Sequence, residues 1–344
     1  MKKKFLALAL AFCCTLGLSA CGGTGSGSGA SQAASGSGAS SAVKYPSGNT
    51  LNLIIPVKAG GNMDILGRTA AKYLGDAMGV NVVVSNIAGN GGVVAATQYL
   101  GEKANTNTVI FLPANIFTVS PLYSKVKYSL DDFAPIAAYN SEKNGVFAMS
   151  GGLIKSFDDL KKWAPDKTLL FGSGGQGVAN YLMQASLYHD LGLKAKTVPH
   201  NSASEGLVNV IAHTTNLTLS SLNLAEQYVK KGSLIPLFTY EKEDYTYANG
   251  TVVPSLYKLT GKDYDIPSLQ FFAVRAGTDQ KIVDYLHEKF QEAFSNPDFK
   301  KEFIKDGGDA DKLKELSAMS GSDVKSMIDT NAKVAKSLYE KSAS

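Results

Sequence analysis

Beyond residue 21 the 344-residue chain has no cysteine; Cys13, Cys14 and Cys21 are its only three. A mature protein starting at Cys21 can form no internal disulfide. It must rely on core burial, which about 300 residues permit. Arginine is also scarce, with Arg68 and Arg275 the only two. Arg68 follows Asp64 by four residues, the spacing of a helix-surface pair, so no arginine cluster is left to grip an anion. The four histidines, His189, His200, His213 and His287, lack metal-ligand spacing and cysteine partners, and no metal or other cofactor is expected. Charge of one sign is missing too. Without Lys2, Lys3 and Lys4 the chain has 34 − 3 = 31 basic against 30 acidic residues, a net +1. No basic patch points to nucleic acid. No apolar run of membrane-spanning length follows the N-terminus.

The N-terminus itself is distinctive. Three lysines precede an apolar run over residues 5–18, which ends in Leu18-Ser19-Ala20-Cys21. This is a signal peptide with the pattern read by the bacterial lipoprotein pathway. The pathway needs a thiol at the new N-terminus to carry diacylglycerol, so Cys21 is the expected lipidation site. Residues 22–42 are almost entirely Gly, Ser and Ala, a composition that cannot bury a core and serves as a tether. Two acyl chains supply stable attachment. The expectation is a membrane-anchored protein on the extracellular or periplasmic side, with residues 1–20 as signal and 21–44 as lipidated tether.

The rest is organised around residues 51–92. The apolar run 51–55 reads as a buried strand, ended by Pro56. The Gly60-Gly61 loop follows, then a helical pattern from Asp64 to Gly79. A second strand over 80–84 leads into the glycine loop 86–92 and a helix over about 93–100. Such a unit makes a parallel strand pair with both loops at the carboxyl edge of the sheet. Helix N-termini there present unpaired N–H groups that suit anions. The alternative is a structural unit with tight turns and no ligand.

The stretch resembles the solute-binding proteins of tripartite tricarboxylate transporters, the Bug-type receptors. Ile54, Pro56, Gly60, Gly61, Asp64 and Arg68 match their first motif. Gly79, Val82, Val83, Val84, Asn86, Gly89, Gly91 and Gly92 continue it without a gap. Ala59 stands where the family has proline. A strand over 107–112 ends in Pro113-Ala114-Asn115, a third loop at the same edge; Asn105, Thr106 and Asn107 replace the family's Asp-Gly-Tyr before it. Pro121, Leu122, Tyr123, Tyr128, Asp132, Phe133, Pro135 and Ile136 match the next segment.

A second unit repeats the pattern: a strand over 166–171, the loop Gly172-Ser173-Gly174-Gly175-Gln176-Gly177, and a helix over 178–189. The loop satisfies G-x-G-x-x-G, and Asp190 lies near the acid position of a dinucleotide site. Against that reading, the motif is weak alone, sits in mid-chain, and belongs to an anchored extracellular protein with no obvious nicotinamide supply. In the resemblance, Ser173, Gly175, Gly177 and Leu182 match, while Tyr181 replaces His. His200 and Ser202 replace Tyr and Gly, and Asn216 replaces Asp. These departures leave the fold expectation intact and the ligand open.

The resemblance covers residues 45 to the end. It implies an α/β periplasmic-binding-protein type II fold with a cleft between two domains, residues 45–142 plus 270–344 and residues 143–269. The crossings are expected near 139–147 and 269–274. The helices over 282–294, 297–304 and 321–341 are expected to pack on the first domain. Residues 240–257, rich in Tyr, Asp and Glu, read as a solvated loop, and Phe272 as core. The implied function is capture of a small organic acid by a monomeric receptor and its delivery to membrane components of a tripartite tricarboxylate-type transporter. The candidate ligand-binding residues are Val57, Gly60, Gly61, Asn62, Asp64, Asn86, Asn115, Ser173, Gly174, Gly175, Gln176, Gly177, His200, Asn201, Ser202 and Ser220. The carboxylate is expected between loops 60–64 and 173–177, with Asp64 as a helix cap. An extracellular enzyme and a sensory or adhesive lipoprotein are the alternatives. No nucleophile elbow, metal spacing or His–acid pair supports an enzyme.

Overall fold

The computed structural model describes residues 43–342, residue 105 excepted. The signal peptide, Cys21 and most of the tether lie outside the described residues. The chain runs through β1 (Thr50–Ile55), α1 (Asn62–Met78), β2 (Asn81–Asn86), α2 (Val93–Tyr99) and β3 (Thr108–Pro113). The short helices α3 (Asn115–Thr118) and α4 (Ser120–Tyr123) follow, then β4 (Phe133–Glu142). Next come β5 (Asn144–Met149), α5 (Phe157–Lys161), β6 (Leu169–Ser173), α6 (Ala179–Asp190) and β7 (Ala195–Pro199). They are followed by α7 (Ala203–Ile211), β8 (Leu217–Ser221), α8 (Leu222–Lys230) and β9 (Leu234–Thr239). After them are β10 (Tyr245–Thr246), β11 (Val252–Val253), α9 (Leu256–Thr260) and β12 (Ser268–Arg275). Four helices finish the chain: α10 (Gln280–Ser295), α11 (Pro297–Lys305), α12 (Ala310–Ser317) and α13 (Gly321–Ser342).

Two five-stranded sheets result. The first has the order β2-β1-β3-β12-β4 and the second β7-β6-β8-β5-β9. In each, three strands run parallel and the element after them starts at their carboxyl edge. The runs Leu53–Ile55 and Val109–Leu112 are buried because helices cover both faces, as parallel sheets require. Gly79 ends α1 in the left-handed conformation, φ 67°, with its N–H bonded to Asp76 and Gly75 carbonyls.

The first core is aromatic. Phe272 stacks between Phe111 at 4.5 Å and Phe290 at 4.4 Å. It belongs to the core, as the sequence suggested, and has no face on a cleft. Each such ring stabilises the fold by several kcal/mol; truncation to alanine typically costs about 3–5 kcal/mol.

Three expectations need correction. Residues 240–257 are solvated only in part: residues 242–244 and 248–250 are exposed, but Tyr240, Tyr247 and Val253 are buried, and the Tyr247 hydroxyl donates to the Leu222 carbonyl at 2.9 Å. The two tyrosine rings pack inside, although their hydroxyls made the segment look wet. The first link between the sheets falls inside the expected range 139–147, but the second expected crossing is misplaced. β4 belongs wholly to the first sheet and β5 to the second, so Lys143 alone links them; residues 269–274 are inside β12, paired on both sides in the first sheet. The return path is instead residues 240–267. Finally, α13 does not pack on the first sheet's half alone. Val324 and Ile328 join its core, whereas Ala335 and Leu338 join the core of the second. Among the described residues no helix is long and apolar enough to cross a membrane.

Candidate functional site

The β1–α1 loop is held from beneath. Asp64, 2% exposed, is the third residue of α1, and its Oδ2 accepts the Gly60 N–H at 2.8 Å. Its carboxylate also accepts from Arg68 Nε at 3.0 Å and Asn86 Nδ2 at 2.7 Å. Asn86 donates to the Val57 carbonyl at 2.9 Å and accepts from Arg68 at 2.8 Å. Burial raises the Asp64 pKa, but the bonds from Arg68, Asn86 and Gly60 outweigh it and hold the carboxyl below its ordinary value. The helix-surface pair with Arg68 is present. Asp64 is not the N-cap, however; Gly61 holds that position without a side-chain cap. The acid reaches back to the residue before the cap. Asp64 and Asn86 therefore support the loop from beneath, and the Gly60 N–H is already used.

The β7–α7 loop repeats this device. Glu205, third in α7, accepts the Asn201 N–H at 2.9 Å, while the Ser202 hydroxyl at the N-cap accepts the Glu205 N–H at 3.2 Å. Each loop is thus fixed by an acid one turn into its helix. The first-turn N–H groups of both helices have no intrahelical acceptor, and both helix ends carry partial positive charge.

These two loops face one cavity. Val57, Lys58, Gly60, Gly61, Asn62 and Met63 line it from one side, Asn201, Ser202 and Ala203 from the other, with Glu142, Asn180 and Gln270 between; its volume is about 430 Å³. An adjoining cavity of about 240 Å³ shares Glu142, Asn180, Asn201, Ser202 and Ala203. It adds Asn115, Gly174, His200 and Ser220, among others.

Of the expected site residues, Val57, Gly60, Gly61, Asn62, Asn115, Gly174, His200, Asn201, Ser202 and Ser220 thus come together in this cleft. Ser173 and residues 175–177 do not. Ser173 is fully buried, with its hydroxyl 2.6 Å from Thr197 Oγ1 and accepting the Gly175 N–H at 3.0 Å. The Gly174 N–H donates to Asn180 Oδ1 at 3.1 Å. Gly177 turns the other way, its carbonyl accepting the Ser120 hydroxyl at 2.8 Å, and Gln176 is exposed. The Gly174 and Gly175 donors are thus spent on Asn180 and Ser173, and the positive-φ Gly175 and Gly177 turn the rest of the loop toward Ser120. Asn216 serves the second sheet, accepting the Leu170 N–H at 2.8 Å.

His200 is buried against Gly172 and Gly206, where an added Cβ would meet the ring at 3.2 Å and 2.7 Å. Burial holds its pKa below the ordinary value against the nearby Glu205 carboxylate, so the ring is neutral at pH 7. Sequence reasoning missed Glu142, Asn180 and Gln270. For the α7 terminus a signal existed, the Ser202-x-x-Glu205 spacing of a capping box. Glu142, in a Ser-Glu-Lys-Asn run, reads as a surface turn, and only its pairing with β12 places it in the cleft.

Residues 66–342 match the family described as tripartite tricarboxylate transporter family receptor (TctC). A UPF0065 protein of Bordetella pertussis is 25% identical over 274 residues, covering 78% of this chain and 83% of that protein. Two solved structures share the fold. MatC from Rhodopseudomonas palustris, with bound malate, superposes with a TM-score of 0.75 at 17% identity, covering 84% of this chain and 98% of MatC. A second R. palustris protein, with adipate, gives 0.76 at 19% identity, covering 87% and 99%.

Proposed function

Because the chain belongs to the tripartite tricarboxylate transporter receptor family, a family of solute-binding receptors and not of enzymes, we propose that its solute is a small organic acid held in the cleft described above. The carboxylate lies between the N-termini of α1 and α7. The observation that carries this is the shared geometry of the two loops: opposite acids, Asp64 and Glu205, hold two helix N-termini on one cavity. Neither acid points its charge at the ligand. Donation from N–H groups, amides and hydroxyls to a carboxylate contributes roughly 1.5–3 kcal/mol per bond, so a few such bonds suffice for micromolar binding. The carboxylates in two fold neighbours support the class.

The test is native mass spectrometry of gently purified protein, followed by calorimetry with mono-, di- and tricarboxylates and amino acids. Saturable binding of at least one acid is expected. A protein that retains no acid and binds none at millimolar concentration overturns the reading.

The receptor works beside a membrane as a monomer, attached through lipid on Cys21, and passes its ligand to the transporter's membrane components. The signal and tether composition support the anchor. Cys21→Ser should abolish labelling by a fatty-acid analogue; equal label on both proteins refutes the anchor.

A further inference from the structure

Three side chains lining the cleft carry polar atoms with nothing to bond. Gln270, 7% exposed, has an unpartnered side-chain oxygen; Ser220, 2% exposed, an unpartnered hydroxyl; His200, 8% exposed, two unpartnered ring nitrogens. A buried polar group without a bonding partner is costly, so the cleft is built to receive bonding partners. Glu142 lines both cavities with them.

Among the described residues Glu142 has no counter-ion. Asn62 Nδ2 at 2.6 Å and Asn140 Nδ2 at 3.5 Å both donate to its Oε1, and no described residue bonds its Oε2. Lys143 turns away to Asp309 at 2.9 Å. Lys58 is exposed, and its charge bears on Glu205. Arg68 is engaged by Asp64 and Asn86, and Arg275 sits at the far end of β12. Burial pushes the Glu142 pKa up against the pull of its two amide donors, and a cation beside it would relieve that. The strand register explains the arrangement. Ser268 lies opposite Glu142 and Gln270 opposite Asn140, so strand alternation puts all four on one face.

We propose that the ligand is a carboxylic acid that also carries a protonated amine, with the ammonium bound by Glu142 Oε2 and the Gln270 side-chain oxygen. The proposal rests on the acid-capture reading above and specifies the other end of the ligand. An ammonium brings three donors and no acceptor, which matches two open acceptors, one of them charged. A second carboxylate there would set like charges together, and the amide donors of Asn62 and Asn140 are already turned to Glu142 Oε1. Glu142 is thus the residue that selects zwitterions over plain di- and tricarboxylates.

The experiment is calorimetry on matched pairs differing only in the amine: aspartate and succinate, glutamate and glutarate, leucine and 4-methylpentanoate, phenylalanine and 3-phenylpropionate. The amino member of whichever pair binds should bind at least tenfold tighter to the wild-type protein, and Glu142→Gln should reduce that ratio below threefold. The wild-type comparison stands alone should the variant fail to fold. A plain acid that binds as tightly as its amino partner, or a ratio that survives in Glu142→Gln, overturns the proposal and leaves acid capture standing. Failure of every acid in both columns removes both.

Discussion

The Asn62 amide nitrogen lies 2.6 Å from a Glu142 carboxylate oxygen, although 80 residues separate them. The bond joins the first residue of α1 to the last residue of β4, one step before the chain leaves the first sheet. The same α1 turn that presents its N–H groups to the cleft also steadies the acid opposite them. The bond therefore fixes the α1 N-terminus relative to the Glu142 carboxylate, and in the proposed mode a ligand would match its two charges to that spacing.

Asp64→Asn should destabilise the protein by about 2–4 kcal/mol, since it removes a buried charge from Arg68 and weakens the hold on Gly60. The sign of its pH dependence follows from the depressed pKa. The stabilisation is present above the unfolded carboxylate value near 3.8 and is lost as pH falls through the folded one. Urea melts between pH 7 and pH 2.5 should show the two proteins converging at the acid end. A constant gap across that range would refute the assignment.

Gly61 and Gly175 should respond differently to valine. Gly61 has φ −78°, which valine tolerates, and an added Cβ there meets only the Lys58 carbonyl at 3.7 Å. Gly61→Val should fold normally and fill the cavity, weakening ligand binding at least tenfold, about 1.4 kcal/mol. Gly175, at φ +93°, is off the cleft wall. Gly175→Val should cost about 1–2 kcal/mol of stability through backbone strain and change affinity less than threefold. Calorimetry and thermal melts on the two variants separate the effects; equal losses of affinity would return loop 173–177 to the site.

Asp265 tests burial directly. Burial foremost, then Glu241 and Asp263, push its pKa up to about 7, with Lys242 opposing. The folded state then holds this proton more tightly than the unfolded chain, so stability falls as pH rises from about 4 to 7. Asp265→Asn should be more stable than wild type by about 1–3 kcal/mol at pH 8 and equal to it near pH 4. Chemical denaturation at the two values gives the answer, and a pH-independent difference rejects it.

Helix α13 should govern closure. Leu338, buried in the second core, also receives the Ser186 hydroxyl on its carbonyl at 3.2 Å. Leu338→Ala should cost about 2–4 kcal/mol. It should also enlarge the change in radius of gyration that small-angle scattering records on ligand addition, because a tie between the two halves is loosened. An unchanged scattering response with the expected loss of stability would make α13 a packing element only.

Local pattern carried much of this fold. The apolar runs at 51–55 and 107–112, the Gly79 stop and the glycine turns each act within a few residues, and both strands appear within a residue of where they were read. What pattern missed depends on distant pairing. Glu142 and Gln270 become neighbours only because β12 inserts beside β4. The donors of loop 173–177 looked free because Thr197, Asn180 and Ser120 could not be seen to claim or redirect them. Tyrosine density at 240–257 suggested solvent throughout, since composition does not reveal that the Tyr247 hydroxyl finds a backbone carbonyl.

The placement of β12 also sets an order of assembly. The second sheet draws on residues 144–239 alone and can form as soon as that segment is available. The first sheet waits for Ser268–Arg275, the strand that separates β3 from β4. Contacts of such long sequence separation form late and slowly. A chain halted at residue 260 should hold a protected second sheet beside an unprotected β1–β4 segment, and pulsed hydrogen exchange would display that difference strand by strand.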